Sequence, residues 1–321
     1  MVSAPPCHGG GRGFKSRLGR NYVVLGGKDE IKLTEKKSIL ITGIARDVAR
    51  ILPKELNRIE KEMKSIFNLV NFLVIESDSK DNTTMVLNEI KNQKSNFNYI
   101  SLGKIESRFP NRIERLAFCR NVYVKEIRDN KLYKDIDFIA IVDFDIKNNR
   151  LKLKKVEKLI SEDGWDAIFA NQTGRYYDIY ALRKKGWVEN DCFVEYKNFS
   201  MSISQQDAKE LAIWSKMRKI KKNSPLIRVD SAFGGLGIYR KNIFMNFDYS
   251  LPNEKIHESE HVSLHKKITD SNGLLFIVPS MTNFSWSTHN LSSFKLLRRL
   301  DQASNRKEFK IIRSFARKLL S

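Results

Sequence analysis

Two aspartates, Asp143 and Asp145, follow a run of five apolar residues that extends from Phe138 to Val142. The apolar run predicts a buried β-strand. On an extended segment, alternate residues project to the same side, so the two carboxylates would repel each other unless a cation lies beside them. Hard divalent cations bind oxygen ligands of this kind and can neutralise the charge of a diphosphate. Without a ligand, the same pattern is a solvated Asp-x-Asp turn, and these residues alone leave both interpretations open.

Further residues suited to ligand binding or proton transfer lie at the ends of other predicted elements. The glycine-rich segment FGGLGIYR has neither the spacing of a dinucleotide fingerprint nor the Lys-Ser/Thr pair of a P-loop, so it does not indicate a phosphate cradle. All these candidates share a position at a strand end, in a loop or in the first turn of a predicted helix, or on the helix before FIAIV. They are Glu76, Asp78, Arg112, Arg115, Arg120, Tyr176, Tyr177, Asp178, Trp187, Asp230, Gly234, Gly235, Glu258, Glu260, His261 and His289.

Strand and helix patterns alternate in the part of the chain that precedes the two aspartates. Apolar runs predict strands in KSILITGI, NFLVIE, FNYIS and FIAIV, with helices between them. This alternation favours an α/β fold with a parallel sheet that binds ligands at the carboxyl ends of its strands. The pattern weakens after Asp145. There we predict a helix and a strand in VEKLISEDGWDAIFANQT, an aromatic-rich loop in RYYDIYALRKKGW, a helix in QQDAKELAIWSKMRK, a strand after GGLG, a helix from ESEH and a final strand in LLFIVPSMTNFSW.

The order of these segments resembles that of the GT-A class of nucleotide-sugar glycosyltransferases. ILITGIARDV, VIESDSKDNT, RLAFCRNVYV and VDFD resemble the nucleotide-binding half of that class, and YYDIYALR, DSAFGGLGIYR, ESEHVSLH and STHN are similar to its acceptor half. The residues of these segments are similar to those of the capsule-associated mannosyltransferase group and related capsule or lipopolysaccharide transferases. The resemblance implies a GT-A, Rossmann-like, mixed and mainly parallel sheet flanked by helices. It covers a GT-A domain of residues 38–290, with halves 38–147 and 148–290. The Gly-rich, basic composition of residues 1–37 predicts a disordered leader, and the basic amphipathic pattern of residues 291–321 predicts a helical tail.

The resemblance implies donor-binding roles for residues of the first half. Glu76 and Asp78 would contact the base and ribose, although both could simply form a polar turn after a strand. The helix before FIAIV would supply a cation to the pyrophosphate, and Arg115 is the chosen candidate. Arg112 and Arg115 can share a helical face, whereas Arg120 need not join them. An ordinary solvated basic face is the alternative for all three.

The resemblance also implies a metal and a donor-sugar site. Asp145 would bind Mn²⁺ or Mg²⁺ directly, and His289 would complete the metal site. Asp143 would contact the ribose or donor sugar, or reach the metal through water.

Residues farther along the chain would complete the donor-sugar site. Asp230 would bind the donor sugar, or acceptor hydroxyls. Gly234 and Gly235 would let the backbone approach the sugar, although a tight turn before a strand is the alternative.

An acceptor site and a general base are implied in the second half. Glu260 or His261 would take the proton of the attacking acceptor hydroxyl, where the family usually has an aspartate. This departure leaves the base, and inversion or retention at the anomeric carbon, open. Tyr177, Asp178 and Trp187 would bind acceptor sugars, with core packing as the alternative for the aromatic residues.

Charge and cysteine content limit the class of protein. Lysine and arginine number 58 against 37 acidic residues in 321, which implies an anionic partner such as a nucleotide sugar, an acidic membrane surface or nucleic acid. Three cysteines without metal spacing favour a reducing compartment, and no apolar run reaches the roughly 18 residues of a membrane span. The basic amphipathic tail can bind an anionic membrane, which would place a cytoplasmic enzyme peripherally on the inner face of the membrane beside a lipid-linked saccharide acceptor; a tail packed on the domain is the alternative.

Three other functions compete with glycosyl transfer. A nucleic-acid-binding protein is permitted by the charge, but no recognition motif supports it. A glycoside hydrolase needs carboxylates that flank a scissile bond, and two on one strand do not. A nucleotidyltransferase also uses Asp-x-Asp with metal, yet it does not account for the later GGLG, EH and THN segments. Transfer of a sugar from a UDP- or GDP-linked donor to a saccharide hydroxyl, in the synthesis of a surface polysaccharide or lipopolysaccharide, is therefore the predicted function.

Overall fold

A mixed, mainly parallel sheet of eight strands forms the centre of the molecule. The structure is a computed structural model, and it describes residues 37–145, 151–250 and 258–283. The strands are β1 (Ser38–Ala45), β2 (Leu69–Glu76), β3 (Phe97–Ser101), β4 (Phe138–Val142), β5 (Ala167–Gln172), β6 (Ile227–Val229), β7 (Leu236–Arg240) and β8 (Leu275–Asn283). Their order in the sheet is β3-β2-β1-β4-β7-β5-β8-β6. Since β3, β2, β1 and β4 are mutually parallel and β5 is parallel to β8, the predicted fold class is confirmed.

Helices cover both faces of the sheet. They are α1 (Leu52–Met63), α2 (Thr83–Gln93), α3 (Arg112–Asp129), α4 (Glu157–Ser161), α5 (Cys192–Phe199), α6 (Gln205–Ala212), α7 (Asn242–Asn246) and α8 (Glu260–Asp270). Successive residues of β1 belong to different cores: Ile39 and Ile41 pack with α1 and α2, whereas Leu40 packs with α3. Because both faces of the sheet are covered, seven of the eight residues of β1 are buried.

The second half of the chain extends the same sheet. β7 pairs antiparallel with both β4 and β5, so it joins the two halves. The predicted strands in this half are present, whereas the short β6 and the helices α5 and α7 carry no pattern that the sequence analysis identified. The predicted leader (1–37) and tail (291–321) fall outside the described residues, apart from Lys37, and the division of the domain into halves stays a prediction. No helix of the described part is long and apolar enough to cross a membrane.

Candidate active site at the carboxyl end of the sheet

The segment that follows β4 carries Asp143 and Asp145. β4 ends at Val142, Asp143 follows it outside any element, and a turn begins at Phe144 and includes Asp145, so the two aspartates do not both lie on an extended strand as predicted. The residue between them, Phe144, is fully buried. The Asp143 N–H donates to the Gly235 carbonyl oxygen, 3.0 Å away, just before β7 begins. A buried ring and a main-chain hydrogen bond therefore fix both aspartates at the edge of the sheet.

Gly43 of β1 provides the space for this turn. A Cβ atom on Gly43 would lie 2.1 Å from the carbonyl oxygen of Val142 and 2.9 Å from the ring of Phe144. Backbone and a buried ring cannot both retreat, so only glycine fits here. The sequence analysis did not identify this residue. Its one signal was a glycine inside a strand pattern, which indicates close approach of another backbone.

Acidic groups from three separate segments converge on Asp143. Burial and the negative charges of Asp145, Asp178 and Glu260 together raise the pKa of Asp143 to about 8, although Arg120 opposes the increase. The Asp143 side chain is nevertheless 35% exposed, so the carboxylate lies at an open edge. The structure thus brings three of the predicted site residues together beside Asp143, although they lie far apart in sequence.

Tyr177 belongs to the same group. Burial raises the pKa of Tyr177 well above its ordinary value, and the neighbouring Asp178, Asp143 and Asp145 raise it further. Its hydroxyl therefore stays protonated at neutral pH and can donate a hydrogen bond to an oxygen-rich ligand. This placement agrees with a ligand-binding role for Tyr177, which stays a prediction.

The ligand chemistry of this edge suits a hard divalent cation. Asp143 and Asp145 offer carboxylate oxygens, the donors that Mg²⁺ and Mn²⁺ prefer, and their mutual repulsion is what a cation would relieve. Within the described ranges, no group of three or more His, Cys, Asp or Glu side chains could hold a metal ion. Further ligands would have to come from a bound donor or from outside these ranges, where His289 lies. The site therefore fits a divalent cation in the type of ligand atoms that it offers.

Arg120 connects the aspartate turn to the start of α8. Its Nε donates to Glu260 Oε1 at 2.9 Å, and both side chains are almost fully buried. Its Nη2 lies 4.0 Å from Asp143 Oδ1. The rings of Phe233 and Tyr249 lie 5.7 and 5.6 Å from the guanidinium carbon. Arg120 is thus a buried counter-charge for two predicted site residues, a role that its place on a basic helix did not reveal.

His261 lies in an aromatic environment next to Glu260. Its ring stacks on Phe233 with centroids 4.0 Å apart, and Tyr249 and His265 also contact it. Burial, followed by the positive charge of Arg120, lowers the pKa of His261 well below its ordinary value. Neither ring nitrogen has a hydrogen-bond partner among the described residues. Glu260 is ion-paired and His261 is held neutral, and the choice of base between them stays a prediction.

Asp178 holds the glycine pair in place. Its Oδ2 accepts a hydrogen bond from the Gly234 N–H at 2.9 Å, and both Gly234 (φ 68°) and Gly235 (φ 81°) adopt left-handed backbone conformations. A Cβ atom on Gly234 would lie 2.6 Å from the Ala170 carbonyl oxygen of β5. The close approach observed is therefore to the protein's own backbone, which supports the tight-turn alternative. An approach to a donor sugar stays a prediction.

Trp187 packs against the protein interior. Its Nε1 donates to the Lys216 carbonyl oxygen at 2.7 Å, and its ring contacts the fully buried Tyr176 edge-on at 5.8 Å. These contacts agree with the alternative that Trp187 packs in the core. A role in acceptor binding stays a prediction for this residue.

A second polar cluster follows β2. Asp78 (φ 57°) accepts hydrogen bonds from the N–H groups of Ile105 and Glu106 at 2.8 and 2.9 Å, and its other oxygen lies 3.8 Å from Arg115 Nε. Arg115 also donates to the Phe109 carbonyl oxygen at 2.6 Å. Asp78 and Arg115 therefore organise the loop after β3 and are both buried.

Two other predicted donor residues lie at strand ends. Glu76 is buried and accepts hydrogen bonds from the Ser79 N–H at 3.1 Å and from the Ser101 hydroxyl. Asp230 is exposed after β6, and its N–H donates to the Arg183 carbonyl oxygen at 2.9 Å. Arg112, unlike Arg115, is exposed, so the two arginines do not share an environment. Donor contacts of these residues stay predictions.

Comparisons with known proteins find similarity in folded structure alone. No family model and no curated protein matches the chain. Similar solved structures include mannosyltransferase PcManGT from Pyrobaculum calidifontis in complex with GDP-Man and Mn²⁺, with 10% identity, a TM-score of 0.48, and coverage of 83% of this chain and 62% of that chain. S. aureus TarS 1–349 has 15% identity and a TM-score of 0.44, and the match covers 81% of this chain and 64% of that chain. Glucosyl-3-phosphoglycerate synthase from Mycobacterium tuberculosis, in complex with Mn²⁺, UDP and phosphoglyceric acid, has 13% identity and a TM-score of 0.38, and the match covers 77% of this chain and 68% of that chain.

The chain spans less than two thirds of the first two of these proteins. With TM-scores below 0.5 and identities of 10–15%, such similarity assigns neither a family nor an activity. The function of this chain has to be inferred from its own residues.

Proposed function

We propose that the chain is a metal-dependent glycosyltransferase that moves a sugar from a nucleotide-sugar donor to a saccharide hydroxyl. The observation that carries the proposal is the convergence of Asp143, Asp145, Asp178 and Glu260 at the carboxyl end of a mainly parallel sheet. Ligands of open α/β sheets bind at this edge. A cluster of negative charge that repels phosphate by itself becomes a diphosphate site when a divalent cation is present.

The cation, Mn²⁺ or Mg²⁺, would be held by Asp145 with Asp143 beside it, and it would supply charge neutralisation for the departing diphosphate. The protein's own residues orient the reactants. Tyr177 and Asp178 present a hydroxyl and a carboxylate to sugar hydroxyls at the same edge. In the transfer, the acceptor oxygen forms a bond to the anomeric carbon, the bond from that carbon to the diphosphate breaks, and the acceptor proton passes to a protein base.

Glu260 is better placed for this proton than His261. The carboxylate shares the edge with Asp143, whereas the His261 imidazole is stacked between aromatic rings and its lowered pKa makes it a weak base. The ion pair with Arg120 holds the Glu260 carboxylate in position. The finer proposal, a UDP- or GDP-linked donor used for a surface polysaccharide or lipopolysaccharide by a cytoplasmic enzyme, is supported by the sequence resemblance.

Thermal-shift measurements test the proposal. UDP-, GDP- and CMP-sugars are added to the full chain with and without Mn²⁺. One nucleotide should raise the melting temperature in a metal-dependent way, because a ligand that binds only the folded state stabilises it by RT ln(1 + [L]/Kd). Asp145→Asn should abolish the shift while keeping the fold. Asp163→Asn is the matched control, since that side chain is fully exposed and precedes β5 at the opposite end of the strand.

Two results would contradict the proposal. One is a donor-induced shift that is the same without metal and in Asp145→Asn. The other is the absence of any shift together with salt-sensitive binding to nucleic acid, which would instead favour the function that the charge alone permits.

A further inference from the structure

The helical hairpin formed by α5 and α6, residues 191–212, has an unusual distribution of side chains. Its buried positions are small: Cys192 in α5, and Ala208 and Ala212 in α6. Its large apolar side chains are instead exposed, by 38 to 74%. They are Phe193, Val194, Phe199, Met201, Ile203 and Leu211. An ordinary surface helix has the opposite pattern, with large apolar residues packed inwards.

Exposed large apolar residues are concentrated in this hairpin. The described ranges contain eleven exposed large apolar side chains, and six of them lie within residues 193–211. The other five are scattered over the molecule: Leu69, Met85, Leu132, Leu226 and Met245. Single exposed apolar residues are normal, whereas a cluster of them marks an interaction surface.

A basic segment, residues 213–222, directly follows the hairpin. The hairpin itself has two lysines and four acidic residues, whereas residues 213–222 have five basic residues and no acidic one. Lys216 of this segment pairs with Glu195 of α5, and Asp191 pairs with Arg183. The exposed basic residues of the hairpin and this segment are Lys197, Lys209, Arg218, Lys219, Lys221 and Lys222. The hairpin and the segment after it thus combine exposed apolar groups with an excess of positive charge, seven basic against four acidic residues.

The hairpin is connected to the candidate active site through Tyr180. The rings of Tyr180 and Phe193 are in edge-to-face contact with centroids 4.8 Å apart. Burial, then the charges of Asp191 and Glu260, raise the pKa of Tyr180, so the phenol is within electrostatic reach of Glu260. Tyr180 therefore contacts the hairpin and is also influenced by the charge of the group that we propose as the base.

We propose that the α5–α6 hairpin binds an anionic lipid bilayer. Exposed apolar side chains enter the boundary between headgroups and acyl chains, and the lysines contact anionic headgroups. This contact would turn the candidate active site towards acceptors held at the membrane. The inference goes beyond the proposed function, because membrane binding is measurable without sugar transfer, and it is independent of the predicted basic tail.

Co-sedimentation with vesicles tests this inference on the full chain. The probe is a pair of vesicle preparations, phosphatidylcholine alone and phosphatidylcholine with phosphatidylglycerol. Wild type should bind the anionic vesicles more tightly. Val194→Ser combined with Met201→Ser should weaken that binding by about tenfold, since every apolar group withdrawn from the bilayer reduces partitioning. Met85→Ser combined with Leu132→Ser is the matched control, removes two comparably exposed side chains, and should stay within about twofold of wild type.

Four results would overturn the inference. The first is that wild type sediments with neither preparation. The second is that the hairpin variant binds anionic vesicles as wild type does, which would assign any binding to another part of the chain. The third is that the control variant weakens binding equally. The fourth is that the hairpin substitutions dissociate a dimer in sedimentation velocity, which would make a second copy the occupant of this surface. The donor shift described above is measured without lipid, so failure of either proposal is recognised separately.

Discussion

The buried ion pair between Arg120 and Glu260 allows a quantitative test of the site's construction. The two side chains are 6% and 5% exposed, and the Nε–Oε1 distance is 2.9 Å. Asp143 is a second, more distant carboxylate at 4.0 Å. Arg120→Met leaves the Glu260 carboxylate without its counter-charge, whereas Glu260→Gln leaves Arg120 beside Asp143. The two substitutions should therefore have unequal effects.

The expected magnitudes follow from this difference. Removal of one member of a buried pair typically costs about 3–5 kcal/mol of unfolding free energy, because the remaining charge is uncompensated. We expect Arg120→Met to fall in that range. Glu260→Gln should cost about 1–3 kcal/mol, since Gln keeps an acceptor for Arg120, and the loss of the Glu260 charge favours ionisation of Asp143 beside Arg120. The double variant should lose about 2 kcal/mol less unfolding free energy than the two single variants lose together, because neither Arg120 nor Glu260 is then left as an unpaired charge.

Urea unfolding of the four proteins at neutral pH and low salt measures these values. Lys266→Met with Asp270→Asn on α8 is the matched control cycle, because that pair is about 60% exposed. Its coupling should be much smaller than that of the buried pair, because water screens the two exposed charges. Additive effects of Arg120→Met and Glu260→Gln, within about 0.5 kcal/mol, would refute the conclusion that the two residues act as a pair.

Two further perturbations test other parts of the structure. Gly43→Ala should lower the free energy of unfolding by about 1–3 kcal/mol and weaken the metal-dependent donor shift, because the new Cβ atom would overlap the Val142 carbonyl oxygen. Gly174→Ala is the control and should behave as wild type, since a Cβ atom at Gly174 would meet open space. Equal effects of the two substitutions in unfolding assays would contradict this prediction. Burial alone would raise the pKa of Glu60, but hydrogen bonds from two lysines and an asparagine lower it from 4.5 to about 2. Its stabilising contribution is therefore complete above pH 4.5 and is lost as the pH falls towards 2, so the difference in unfolding free energy between wild type and Glu60→Gln should shrink from about 2–3 kcal/mol at pH 7 to about 1 kcal/mol at pH 3. A difference that is constant with pH would show that the Glu60 charge contributes nothing.

Local sequence pattern was sufficient for the elements that lie in the sheet. The apolar runs of β1, β2 and β4 correctly predicted buried strands, because a strand that is covered on both faces shows a run of apolar residues instead of alternating polar and apolar ones. The two aspartates after β4 were found for the same reason, since carboxylates that follow a core strand are conspicuous. Helix α5 was missed because its large apolar residues face outwards and its buried positions are small, which reverses the pattern that periodicity detects.

The amino-acid sequence by itself determined the fold class and the position of the acidic motif on it. Only the tertiary structure decided which groups surround that motif. Arg120 and Glu260 are 140 residues apart, and nothing local to either predicts their ion pair. β7 lies antiparallel beside β4 and places Gly235 against Asp143, and Gly43 provides the space for the turn. Contacts of this kind depend on how strands distant in sequence pair and how closely their backbones approach, whereas periodicity reports only which face of a single element is buried.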